Sequence, residues 1–502
     1  MALPPPPHRP PPDAWSTPGT GWGQLPPPPP PSVPQRRWPL ALGIVVVGLV
    51  AIGVVATLAA LLGSDGPARP DAWDPLVVDL ATFVEDERGL DFEHPVFVDF
   101  LTPAEYTEHS TEQANVPEED RDDLDRYAAQ LRALGVATGE VDLFTVYNQV
   151  ADGGTLAFYD PTDQRVRVRG TEMTVGLEVT IVHELTHALQ DQHFDLERLY
   201  DERLDNGAAV AFRGLAEGDA LRIEDVYVSE ELTDAEQEAY DEEYADLLAT
   251  SEEATRDVPP FVSATFGVPY ALGQPFALML ANQDGNDAVD DAFADPPSTE
   301  EHLFDPASFL DAEHRTEEVE LGFGADEEVV DEGSFGATSW YLFLAERIDP
   351  KVAFEAALGW DGDAYGAVER DGSTCVRAAF VGDRQADEDQ MATALTEWID
   401  AMPGGAALLD DVDGHPVLES CDPGEDIDLE LTDRSETSLF VPSLWGYLIA
   451  DAASVLDASE ARCYARAVFD ELSYEEITDP EGAIFAGDTF QQTLADAYES
   501  CR

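Results

Sequence analysis

The sequence predicts an α+β fold: a buried helix beside a small sheet, with a single transmembrane helix ahead of it and a small helical module behind. Three observations carry the central part. From Thr174 to Phe194, the residues Val175, Val179, Val182, Leu185 and Leu189 recur at helical spacing, and Thr174 offers an N-cap oxygen. Just upstream, Thr155–Tyr159 and Arg165–Arg169 read as two strands around the turn Asp160-Pro161-Thr162-Asp163. Downstream, Ala208 to Tyr227 reads as a second helix, with Val210, Leu215, Leu221, Ile223 and Val226 available for burial.

The first helix carries His183-Glu184-Leu185-Thr186-His187. Residues four apart leave a helix on one face, so both imidazoles can reach one metal ion. Glu184 lies between them, placed to polarise a metal-bound water without ligating. His-Glu-x-x-His on a helix is a zinc-binding arrangement with the Glu as general base. Two residues compete to be the third ligand. His193 lies ten residues after His183, but that spacing needs a glycine at position 190 to turn the chain, and the sequence has Gln190. Glu217, on the second helix in an apolar neighbourhood, completes a two-histidine, one-carboxylate site with a fourth position for water and is favoured.

The segment Thr180–Leu196 (TIVHELTHALQDQHFDL) and the later Glu217-Gly218-Asp219-Ala220 resemble the gluzincin group of zinc metallopeptidases. More closely, they look like predicted membrane-anchored bacterial neutral zinc metallopeptidases, as do the weaker segments Pro296–Glu300 and Gly359–Tyr365. The resemblance covers roughly residues 75 to 400. It implies a zincin-like metallopeptidase domain, one Zn2+ per chain on His183, His187 and Glu217, and a peptide or protein substrate. Glu184 is then the general base that takes a proton from water and delivers it to the leaving amine. Tyr270 and His302 are the candidate donors to the developing oxyanion. The thermolysin-like branch places an Asp four residues after its ligand Glu, whereas this chain has Leu221; Asp191 or Asp219 is left to orient a ligating imidazole.

Ahead of this region, Leu40 to Leu62 is a run of 23 residues without a charge, about 34 Å as a helix. Arg36 and Arg37 precede it and Asp65 follows, which predicts a cytoplasmic N-terminus and an extracytoplasmic catalytic region on a single-pass membrane protein. Residues 1–37 are Pro-rich and read as a disordered cytoplasmic tail; 38–63 form the anchor and 64–75 a linker. Residues 76–424 read as the metallopeptidase region in one or two lobes, with a turn-rich break at Pro259–Pro269, and 425–502 as the disulfide-closed helical module. The net charge of −78, with Lys351 the sole lysine, makes nucleic acid and anionic lipid surfaces poor partners. The acidic run Glu230–Glu253 reads as solvated helix faces and loops. The cysteines Cys375, Cys421, Cys463 and Cys501 all fall on the external side, and neighbour pairing gives the expected disulfides Cys375–Cys421 and Cys463–Cys501.

The leading expectation is a membrane-anchored zinc peptidase. The alternative is a catalytically inactive envelope protein that keeps the metallopeptidase fold to bind peptide or a partner domain. A third is hydrolysis of a non-peptide amide in the cell wall.

Overall fold

The structure, a computed structural model, describes residues 67–502 apart from 112–117, 154, 201–205, 311–315, 318, 320, 325–326, 371, 403–406, 413, 433, 480–484 and 486–487. The tail and the expected span Leu40–Leu62 lie outside these residues. Among the described residues no helix is long and apolar enough to cross a membrane.

The architecture is mixed α+β. A three-stranded sheet holds β1 (Phe97–Leu101), β2 (Ala157–Asp160) and β3 (Arg165–Arg169) in the order β1-β3-β2. β2 and β3 form the expected antiparallel hairpin, and β1 joins β3 in parallel with Val98 opposite Val166 and Phe100 opposite Val168. The helices that frame the site are α1 (Val78–Arg88), α2 (Val175–Phe194), α3 (Asn206–Val226), α4 (Asp234–Thr255) and α5 (Pro260–Asp284). α2 starts at the expected cap, where Thr174 Oγ1 accepts the Leu177 amide proton at 3.3 Å. Glu243 of α4 reinforces that end by accepting from the Gly176 amide and the Thr174 hydroxyl, a carboxylate set against the positive pole of the helix. The acidic α4 is largely solvated, as its composition predicts, yet Glu243 ties it to the start of α2.

α3 and α5 cross in backbone contact. A methyl group on Gly218 would stand 2.0 Å from the Gly273 carbonyl oxygen, and one on Gly273 would stand 2.0 Å from that of Gly214. Only glycine permits such an approach. The expected break at Pro259–Pro269 is absent. Pro260 instead opens α5 at a position where a missing amide proton costs nothing, and Pro269 and Pro275 lie inside the helix. An interior proline costs a helix about 3 kcal/mol, but burial of Val268, Leu272, Phe276 and Met279 outweighs it.

A second, antiparallel sheet runs β4 (Glu328–Gly333), β5 (Trp360–Arg370), β6 (Ser373–Gly382), β8 (His415–Cys421) and β7 (Ala407–Val412), in that order. Cys375 and Cys421 stand opposite each other on β6 and β8 and are joined by a disulfide. Later in the chain come α6 (Gly336–Ala345), α7 (Phe440–Ala452), α8 (Ala458–Phe469) and α9 (Asp488–Cys501). Cys463–Cys501 ties α8 to α9. Both pairings are those expected from the sequence.

Buried apolar side chains fall into two main clusters. The smaller lies between the three-stranded sheet, α1 and α2 and includes Val84, Val166, Ile181, Val182 and Leu185. The larger gathers α5, α6, the second sheet, and α7 and α8. α3 belongs to both: Leu215 packs into the larger and Ile223 into the smaller.

The two weaker sequence segments, Pro296–Glu300 and Gly359–Tyr365, meet at the start of α6. Glu300 accepts from the Thr338 amide at 2.9 Å, and Asp363 accepts from the amides of Phe335 and Gly336 and from the indoles of Trp340 and Trp360. Burial, helped by Glu301 and Asp363 and opposed by Thr338, drives the Glu300 carboxyl up to about 7. The folded chain therefore keeps a proton that the unfolded chain releases near its ordinary value of 4.5. The resulting stabilisation is complete below that value and is lost as pH rises through about 7. Glu300→Gln should flatten this part of the pH dependence, checked by comparing urea midpoints of the two chains at pH 5 and pH 8. At the helix crossing, Gly218→Ala should cost about 1–3 kcal/mol by overpacking, read from the same denaturation curves.

Candidate metal centre

His183, Glu184 and His187 lie on the buried face of α2, and Glu217 comes from α3 opposite; none of the four is more than 4 % exposed. His183 Nε2 and His187 Nε2 are 3.1 Å apart, and Glu217 Oε2 lies 3.2 Å from the first and 3.1 Å from the second.

The outer nitrogens decide what these contacts mean. Gln190 Nε2 donates to the Ala216 carbonyl and to Asp219 Oδ2, both at 3.0 Å, which fixes the orientation of its amide. Gln190 Oε1 therefore faces His187 Nδ1 at 2.9 Å, and that nitrogen must be the donor. His183 Nδ1 likewise has Glu224 Oε2 as acceptor at 3.1 Å. With both Nδ1 atoms protonated, the neutral rings turn bare lone pairs toward each other and toward a carboxylate oxygen. Three acceptors converging on one dry point require a cation. A proton can be shared by two of them; a metal ion serves all three. Their separations are close to the ~3.3 Å edge of a tetrahedron with ligand bonds of about 2.0–2.1 Å. The group is thus a buried set of two imidazoles and a carboxylate that can hold a metal ion.

The electrostatics agree. Burial alone would lift the Glu217 carboxyl, but His187 and His183 hold it well below the usual carboxylate range. Burial would likewise lower both imidazoles, yet their contacts with Glu217 raise them, so a metal ion would replace protons here. Tyr270, on α5, is pushed up by burial and by Glu217; it stays protonated and donates to Glu217 Oε1 at 3.0 Å. Glu184 is raised chiefly by burial; its Oε2 accepts the Tyr159 amide proton from β2 at 2.7 Å, while its Oε1 is buried with no partner.

The structure thus brings together His183, Glu184, His187, Glu217 and Tyr270. The contacts that gather them do not include His302, which is buried on the short helix Glu301–Phe304 with Nδ1 2.8 Å from Ser308 Oγ. His193 is exposed at the end of α2, with Nε2 2.9 Å from the Asp91 carbonyl. Of the two aspartates considered as imidazole partners, Asp191 accepts from the Tyr159 hydroxyl and the Leu196 amide. Asp219 acts on His187 through Gln190, and is itself held by the buried Arg88 and by Arg222. The direct partners, Gln190 and Glu224, were not among the sequence candidates. Spacing marks both: Gln190 is three residues after His187, and Glu224 is seven after Glu217, two turns along one face. The residue that breaks the three-histidine pattern is the one that orients His187.

Comparison with protein-family models, with curated proteins and with solved structures finds no match to this chain. The geometry of the site is therefore what speaks to its chemistry.

Gln190→Leu or Glu224→Ala should weaken metal binding by about 10–100-fold while leaving the fold intact, measured by competition with a chromophoric chelator.

Proposed function

We propose that this protein is a zinc-dependent peptidase with its catalytic region outside the membrane and Leu40–Leu62 as its anchor. The observation that carries the reading is the lone Glu184 Oε1. A buried carboxylate oxygen without a hydrogen bond is costly in a group built only to hold helices together. Beside two imidazoles and a carboxylate, it is the oxygen that a bound water would satisfy. The donor set suits zinc, which when bound acts as a Lewis acid and brings its water's pKa toward neutrality.

The chain's own residues then divide the work. Glu184 takes the proton from the attacking water on Oε1 and returns it to the leaving amine, and the Tyr159 amide on Oε2 keeps the carboxylate in place. Burial raises the Glu184 carboxyl, which favours its taking up a proton. Gln190 and Glu224 hold the imidazoles in one tautomer, and Tyr270 holds Glu217. β2 lies at the edge of its sheet next to Glu184, with all four of its residues buried.

The depth of the group supports a second reading, a non-catalytic envelope protein whose metal ion clamps α2 to α3. The two readings differ over Glu184. For the peptidase, Glu184→Gln should retain about one zinc per chain and lose at least 10²-fold in hydrolysis of a mixed peptide library. Metal content and mass-spectrometric product analysis of the purified full chain test both halves. Unchanged product formation by the variant would remove the peptidase reading, and no hydrolysis by either chain would favour the clamp.

A further inference from the structure

Five arginines bury a guanidinium nitrogen without a hydrogen-bond partner: Arg88, Arg169, Arg213, Arg222 and Arg347. Four use their other nitrogens. Arg88 and Arg222 hold Asp219, Arg169 holds Asp152, and Arg347 donates to the carbonyls of Leu429 and Gly135. Arg213 is different. Its Nε is buried and unpaired, and among the described residues its guanidinium forms no hydrogen bond or ion pair.

Its position explains what it is for. Arg213 lies on α3 four residues before Glu217, so it leaves the same helix face one turn, about 6 Å, from the ligand. The next residue, Gly214, touches Gly273 at the glycine crossing, which sets Tyr270 beside this part of α3. A chain with 104 aspartates and glutamates against 26 lysines and arginines has ample carboxylates to neutralise a guanidinium. The buried Nε of Arg213, left without an acceptor beside the candidate centre, is costly unless an incoming anion completes it.

We propose that Arg213 is the specificity-determining receptor for a substrate carboxylate, so that the site selects peptides carrying that group a residue or two from the bond to be cleaved. The planar guanidinium grips a carboxylate through two parallel hydrogen bonds, an arrangement that a neutral amide cannot offer. The inference rests on the peptidase reading and sharpens it.

The test uses the full chain with Glu184→Gln, loaded with zinc so that it binds without turnover. A pentapeptide library is presented in three forms: free acid, C-terminal amide, and amide with one glutamate added. Equilibrium binding should favour the free acid over the amide by about tenfold to a hundredfold. Adding Arg213→Gln should abolish the preference, whereas Arg213→Lys, which keeps the charge but not the fork, should keep part of it. Preference for the glutamate-bearing amide over the free acid would assign the carboxylate to a side chain instead of the peptide terminus. A structural role for Arg213 would weaken all three forms equally and leave their ratio unchanged. Equal binding of the three forms with Arg213 intact, or binding of none, overturns the proposal. Failure of the peptidase reading is seen separately, as hydrolysis by the wild-type chain that is absent or does not depend on Glu184.

Discussion

The site depends on one backbone contact, the crossing of α3 and α5 at Gly214, Gly218 and Gly273. Two helices carrying ordinary side chains there would stand further apart. Tyr270, one turn before the crossing on α5, could not then reach Glu217 on α3. The carboxylate facing the two imidazoles would lose the donor that fixes its second oxygen. Close approach also buries Glu217 completely, which turns the attraction between its charge and a cation from a weak surface effect into a strong one. The three glycines do no chemistry themselves, yet the geometry of the centre follows from their lack of side chains.

The polar groups around the centre form a supported hierarchy. His187 is oriented by Gln190, which is held by Asp219, which is held by Arg88 and Arg222. His183 is oriented by Glu224, whose other oxygen accepts the Tyr240 hydroxyl proton from α4. Each imidazole is thus braced from a different side, one through α1 and the other through the acidic α4. Around the centre Arg88 and Arg222 pair with the buried Asp219, where an ion pair is effective, while exposed pairs such as Arg256–Glu253 are screened by water and salt.

Local features of the centre were legible in the sequence because they are properties of single helices. The spacing of His183 and His187, the Thr174 cap and the apolar stripe fix one buried face of α2, and Glu217 stood out as an acid within an apolar stretch. The hairpin and both cysteine pairings were also readable. What escaped was tertiary. Glu224 meets His183 only when the two helices are set against each other, and the Gln190 amide beside His187 is fixed only by Ala216 and Asp219 of α3. Pro260 and Pro269 read as a break, because local preference cannot weigh the loss of a helical hydrogen bond against burial on two neighbouring helices. Tyr270 was singled out, but its bond to Glu217 depends on the crossing. The absence of a partner for Arg213 is visible only once every neighbour is in place.

The far side of α5 has its own consequence. α7 packs there, with Gly446 against Pro275, the Asn282 side-chain amide donating to the Ala450 carbonyl, and Tyr447 bonded to Gln274. The helix that steadies Glu217 is therefore steadied in turn by residues distant from it in sequence, with Asn282 and Ala450 separated by 168 positions. During synthesis, His183, His187 and Glu217 emerge long before α7 does. Contacts so distant in sequence close slowly and late. A growing chain then carries all three side chains while still lacking the brace that aligns them, and the centre is fully supported only once α7 has emerged.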